Sequence, residues 1–389
     1  MKLLPFDYAV RNLGRSPMRL AASVAGSALV VGLVLAAGGF VRGMEKSLTV
    51  QGGHDNVIIL GAGSEESIER SQISGGVATL VTGAVPGIRS RLGVPYVSPE
   101  VHMAAVLKPD RDSTAEWTAV LRGVTPTAFL VHPQVRIIEG RPPTPGQYEM
   151  MVGRLAAVRL GAAADQLALG RTLWFDNRAW TITGRFEAPN TVMDAEIWTP
   201  LNDLQIATKR DTTVSCVIVT LDDADVGDVA AFCAQRLDLE LAAIGEAEYY
   251  ASLLRFYRPV RAMVWVTAVL IAVGGLFGGL NTMYAAFAAR VRELGALQTL
   301  GFSRLSIVIS FLQESLLATA CGGLLAATLA LLLLDGLAVR ISMGAFALTL
   351  DDAVLTMGLA AGAGLAVVGV LPPLYRCLRL PIVEALRTA

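Results

Sequence analysis

Residues 290–334 read RVRELGALQTLGFSRLSIVISFLQESLLATACGGLLAATLALLLL. The first fifteen of them mix polar and apolar positions, whereas residues 305–334 carry a single charge, Glu314. About 20 apolar residues cross a ~30 Å hydrocarbon core as a helix, so 305–334 reads as a membrane span. Three other stretches pass the same test: 22 uncharged residues at 20–41, 28 at 262–289 and 23 at 353–375. The run at 20–41 exceeds the 7–15 apolar residues of a signal peptide, and its Gly26 and Gly32 suit close helix packing. Composition agrees, since 17% of the 389 residues are charged against about 25% in a soluble domain. A net charge of −1 argues against nucleic acid as a partner, and 4 cysteines exclude a disulfide scaffold.

Four spans put both termini on one side. The segment 1–19 has Lys2, Arg11, Arg15 and Arg19 against Asp7, and the loop 290–304 has Arg290, Arg292 and Arg304 against Glu293. The tail 376–389 has Arg376, Arg379 and Arg387 against Glu384. The loop 335–352 instead has Asp335, Asp351 and Asp352 against Arg340. The positive-inside bias therefore predicts cytoplasmic termini and a cytoplasmic 290–304 loop. Residues 43–260, with 26 acidic and 19 basic side chains, are left outside the cytoplasm. The expected fold class is an α-helical membrane protein with four transmembrane helices and a large mixed α/β extracytoplasmic domain between the first two.

Within that domain, short apolar runs at 57–60, 118–121, 172–175, 180–183 and 214–221 read as strands. Asp176-Asn177-Arg178 reads as a hairpin turn, 225–237 as a helix, and 246–257 as a helical stalk with Pro259 placed to kink it. A β-rich insertion is expected at roughly 125–212. Gly61-Ala-Gly-Ser-Glu-Glu is a turn rather than a phosphate loop, because it lacks lysine and ends in two carboxylates. Cys216 and Cys233 stand on a predicted strand and a predicted helix. A disulfide and two buried thiols both fit that arrangement.

Enzymatic constellations are missing. None of Lys2, Lys46, Lys108 and Lys209 follows a glycine, so no P-loop exists in this sequence. His54, His102 and His132 are scattered and make no zinc-protease motif, and each reads as a surface or structural residue. No G-x-S-x-G elbow occurs. Glu314 alone is ionisable within the spans, and a carboxylate at that depth is a functional hypothesis by default. Its position ten residues into the span favours a structural or coupling role over a proton path. Neither a metal nor a bound cofactor is expected on this chain.

Loop 290–304 is a short amphipathic element with Leu294, Leu297, Leu300 and Phe302 apolar and Arg292, Glu293, Gln298 and Arg304 polar. Its bland reading is a membrane-surface connector, and its sharper one a helix that seats in a groove of a partner. The loop resembles the signature of FtsX/MacB-type ABC transporter permeases, R-x-R-E-x-G-x-L-x-x-x-G-x-S-x-x-x-I. Arg290, Arg292, Glu293, Gly295, Leu297, Gly301, Ser303 and Ile307 fall on it, followed by Glu314 and the paired Gly322 and Gly323. Arg11-Asn-Leu-Gly-Arg15 is similar to that family's entry to the first span, and 380–387 to its tail. Residues 170–184 and 197–201 resemble the MacB-like periplasmic core. Gln298 departs from a place where such permeases often carry a basic residue.

The resemblance implies a mechanotransmission (type VII) permease whose loop 290–304 takes up ATP-driven motion and whose external domain acts on a substrate. Implied partners are a separate cytoplasmic ABC ATPase carrying ATP and Mg, a second permease copy in a homodimer or related heterodimer, a membrane-fusion adaptor and membrane lipids. Efflux is the leading output. Lipoprotein or lipid extraction of the LolC/LolE kind and FtsX-like signalling to cell-wall hydrolases remain open. Gly26, Gly32, Gly278, Gly322 and Gly323 are the expected helix-packing positions.

Overall fold

The computed structural model describes residues 6–15, 17–48, 55–288, 290–341 and 344–379. The family-like tail at 380–387 lies outside the described residues. Two compact units emerge: Met1–Arg42 with Pro259–Leu337 and Leu348–Ala389, and Gly43–Arg258 with Ala338–Ala347.

The first unit is helical. Among the described residues four helices are long and apolar enough to cross a membrane, within Leu20–Ser47, Arg258–Phe277, Arg304–Leu333 and Asp352–Leu378. The first begins at Pro17, where the missing amide proton costs nothing because the first turn has no acceptor for it. Ser303 caps the third by accepting from Ser306 N, and Asp351 caps the fourth by accepting from Val354 N. Small residues let the first span lie tightly on the third and fourth. A Cβ on Gly322 would collide with Ser27 and with the backbone of Val24, and one on Gly38 would stand 2.9 Å from Val354. The second span is different: 6% of its apolar window is buried within the described chain, against 28% for each of the others. Short helices Phe6–Gly14 and Val291–Thr299 complete the unit.

The second unit is built on one ten-stranded mixed sheet. Its order is Leu241–Gly245, Asn56–Gly61, Cys216–Thr220, Val97–Leu107, Trp117–Val124, Ile197–Pro200, Glu149–Gly153, Arg178–Glu187 and Arg136–Gly140, with Thr172–Phe175 paired to Arg178–Glu187. Residues 125–212 supply five of these strands, and they continue the same sheet. Side chains alternate between faces along a strand. Val57, Ile59, Val217 and Val219 join one core with the helices Val77–Ala84 and Val226–Gln235, while Ile58, Leu60, Cys216 and Ile218 join another beneath Glu246–Phe256. Burial of both faces explains why these strands read as continuous apolar runs.

The expected hairpin forms at Asp176 and Asn177, both with positive φ (49° and 59°), as a two-residue turn with strand-compatible twist requires. The expected helix at 225–237 is Val226–Gln235, capped by Asp225. The single strand expected at 214–221 is instead two pieces. Thr213–Val214 pairs with Ile73–Ser74, and Cys216–Thr220 enters the large sheet. Ser215 makes the break: its amide donates to Glu100 O and its hydroxyl accepts from His102 N. The expected stalk is the helix Glu246–Phe256, and a new helix starts at Arg258. Cys216 and Cys233 are both buried free thiols, one in each core, so the sheet itself separates them. Part of the loop 335–352 forms a hairpin, Ala338–Ile341 with Gly344–Ala347, that packs on Ala156–Leu160 and on the turn Val192–Ala195.

Candidate coupling site

The element Val291–Thr299 follows Arg290 and ends at Gly301, whose φ of +87° lets the chain reverse into the third span. Its apolar face is fixed by Leu294 (1% exposed), which packs with Ile307, Phe311, Val370, Leu374 and Leu378. Leu297 and Phe302 lie against the same cluster, and Gly295 is buried. Arg292 faces outward, exposed. The helix therefore presents a polar side to solvent while its apolar side is rooted in the third and fourth spans.

Arg290 ties this helix to two distant segments. Its guanidinium donates to the Asn12 amide oxygen and stands 3.5 Å from the Glu314 carboxylate, over the Phe311 ring at 5.6 Å. Asn12 in turn donates through Nδ2 to Glu314. Glu293 lies 3.6 Å from Arg290 and 3.5 Å from Arg15. Glu314, whose side chain is 12% exposed, is thus a paired carboxylate, and that satisfies the rule that a charge at such depth needs a counter-charge and hydrogen bonds. Tyr8, one turn from Asn12, has its hydroxyl pKa raised by burial and then by Glu293.

The motif residues separate by environment. Arg290, Glu293 and Glu314 come together, Ser303 acts as a helix cap, and Gly301 is a turn. Of the glycines, Gly322 is at a tight crossing, while a Cβ on Gly323 would stand 3.6 Å from Leu359 and one on Gly32 would stand 4.0 Å from Ala326, both ordinary contacts. Nothing lies within 4 Å of a Cβ on Gly26, and the surroundings of Gly278 lie outside the described residues. Asn12 escaped the sequence reading as a functional residue. Its signal was present in the Arg11-Asn-Leu-Gly-Arg15 run, but a short polar side chain announces no partner 302 positions away.

The sequence reading also missed a polar network buried in the external domain. Glu100 accepts from Ser98 (2.9 Å), His102 (3.0 Å), His132 (3.0 Å) and Arg122 (2.9 Å). Arg122 forks onto Glu196 at 2.7 and 2.8 Å, and Trp198 donates to the same carboxylate at 2.9 Å. Burial would raise the pKa of Glu100, but His132, Arg122 and the hydrogen bond from His102 hold it well below the usual carboxylate range. Burial lowers the pKa of His102, with Arg122 adding to the effect. Ser98, Glu100 and His102 share one strand, but Arg122, His132, Glu196 and Trp198 come from other strands and turns, so no local sequence pattern reveals the whole cluster.

Four helices long and apolar enough to cross a membrane, with an α/β domain after the first of them, define the architecture of a membrane protein. Its residues 20–232 match the model of the MacB-like periplasmic core domain, and 265–382 match that of the FtsX-like permease C-terminal region. The chain belongs to the FtsX/MacB-type ABC transporter permeases. It is 37% identical over 60 residues to the macrolide export ATP-binding/permease protein MacB of Bdellovibrio bacteriovorus, a stretch covering 15% of this chain and 9% of that relative. Among solved structures, the periplasmic region of MacB from Actinobacillus actinomycetemcomitans aligns at 16% identity and TM-score 0.39, covering 52% of this chain and 93% of that one. The extracellular domain of the noncanonic ABC-type transporter YknZ from Gram-positive bacteria aligns at 15% identity and TM-score 0.36, covering 49% and 99%.

Proposed function

We propose that this chain couples ATP hydrolysis on a separate cytoplasmic ABC ATPase to movement of its own extracytoplasmic domain, and that the output is export. The observation that carries the reading is the convergence at Arg290, where the connecting helix, the N-terminal helix and the third span meet through side-chain bonds. A push on Val291–Thr299 would be felt at once by two other helices. The exposed polar edge at Arg292 and Glu293 is the surface offered to the ATPase, with both termini on the same cytoplasmic side. The apolar surface of the second span, little covered within one chain, suits a second permease copy. Efflux is favoured because the curated relative is named for macrolide export. Lipoprotein extraction and hydrolase control share the same coupling step.

The test is a mild-detergent pulldown of the tagged chain from its native membrane. A P-loop ATPase recovered in stoichiometric amount is the expected result, and its loss in Glu293→Arg, with membrane insertion intact, would assign the contact to this helix. No ATPase under several detergents would overturn the coupling reading. The third protein recovered selects the output: an adaptor with a long hairpin for efflux, a lipid carrier for extraction, a hydrolase for signalling.

A further inference from the structure

We propose that Glu100, His102 and Cys216 form a binding site for a divalent transition-metal ion of the zinc class inside the external domain. The placement follows from the sheet. Glu100 and His102 are two apart on the strand Val97–Leu107 and so share a face. Cys216 is the Cα partner of Glu100 on the neighbouring antiparallel strand. One donor atom from each of the three lies within 4.8 Å of the others, and all three residues are buried. Glu100 Oε2 and His102 Nε2 stand 3.0 Å apart. A tetrahedral ion with bonds of about 2.0–2.2 Å to nitrogen and oxygen sets such donors about 3.3 Å apart, so the Glu100–His102 pair would open by only tenths of an ångström, with the Cys216 sulfur within 4.8 Å of both.

Charge gives a second, independent reason. Around this point the buried carboxylates of Glu100 and Glu196 share the buried guanidinium of Arg122. Buried charge is costly unless compensated, and a divalent cation compensates it. Glu100 is held on both oxygens: Ser98 and His132 donate to Oε1, and Arg122 donates to Oε2, which would share its lone pairs between the guanidinium and the ion. Binding removes the thiol proton of Cys216 to solvent and moves the imidazole proton of His102 to Nδ1, leaving a thiolate, a nitrogen lone pair and a carboxylate as donors. A sulfur, nitrogen and oxygen set favours zinc over calcium or magnesium. The ion would pin the strand that carries Glu100 to the one that carries Cys216.

The purified full-length chain in detergent is stripped with a chelator and titrated with zinc against a chromophoric competitor. One equivalent per chain is expected, with cobalt giving a thiolate-to-metal charge-transfer band. Cys216→Ser should abolish the band and the high-affinity equivalent while the circular dichroism spectrum stays native. His132→Ala, which removes a support rather than a donor, should weaken binding by about 10- to 100-fold. Absence of a charge-transfer band in the wild-type protein overturns the proposal without reliance on any variant. Zinc binding unchanged in Cys216→Ser overturns it too, by placing the ion elsewhere, and so does a substoichiometric wild-type titration.

Discussion

Two polar clusters organise this molecule, and they are built in opposite ways. At Arg290 a single guanidinium gathers Asn12, Glu293 and Glu314, and the outer pair, Arg15 with Glu293, is 68% and 39% exposed. At Arg122 the guanidinium is 2% exposed and forks onto a carboxylate whose other bonds are also made, with Glu100 bound by four donors. The first cluster joins helices that are far apart in sequence through one shielded contact, Arg290 with Glu314, and a solvated outer pair, Arg15 with Glu293, and the outer pair can shift at low cost. The second holds its carboxylates and its guanidinium by several buried bonds each, so it can only hold or break. The coupling role proposed above would draw on the first kind of bonding, and a domain displaced as a body would draw on the second.

Removing Arg122 should have the largest effect. Arg122→Met leaves Glu100 and Glu196 buried without their partner, a loss of about 3–5 kcal/mol, seen as a lower melting temperature of the external domain. An unchanged melt would show that the network is not what holds the sheet together. Acid attacks the same cluster. The folded-state pKa values of Glu100 and Glu196 lie below the ordinary carboxylate value of 4.5, so their stabilisation is complete above that value and is lost as pH falls toward the folded values. His102, lowered from 6.5, already disfavours the folded state once the unfolded chain takes up its proton, below about that pH. Stability followed from pH 8 to pH 3 should therefore decline with acid, beginning near 6.5 and steepening below 4.5. A rise in that window would reverse the sign argued here.

At the other cluster the expected pattern is activity loss without unfolding. Arg290→Lys keeps the charge but gives up the planar fork that reaches Asn12 and Glu314 together and stacks on Phe311. Stability should change by about 1 kcal/mol or less, while ATPase stimulation by the permease in reconstituted vesicles falls. Equal loss of both would erase the contrast between the clusters. The smallest effect concerns Cys233, whose thiol is pushed up to about 11 by burial. Alkylation at pH 8 should be slow in the folded chain and fast in urea, and rapid labelling would mean that the helix Val226–Gln235 opens freely.

The four spans were legible because hydropathy is a local property that needs no knowledge of neighbours. The turn at Asp176 and Asn177 was legible for the same reason, since positive φ is a demand on two consecutive residues. The long strand Val97–Leu107 was not, because Pro99, Glu100 and His102 interrupt any apolar alternation and are tolerated only by what lies opposite them. Ser215 likewise ends one pairing and opens another through bonds to Glu100 and His102, which no window around it contains.

The sequence by itself determined the number of spans, the size of the external domain and the amphipathic element after Arg290, because each depends on residue types within a few turns of one another. The tertiary structure alone decided that Asn12 and Glu314 share Arg290, that the two external cysteines lie on opposite faces of one sheet, and that Glu100 stands across from Cys216 beside Arg122. Those pairings rest on strand order and helix contact, and buried polar groups choose their partners by distance in space, whatever the separation along the chain.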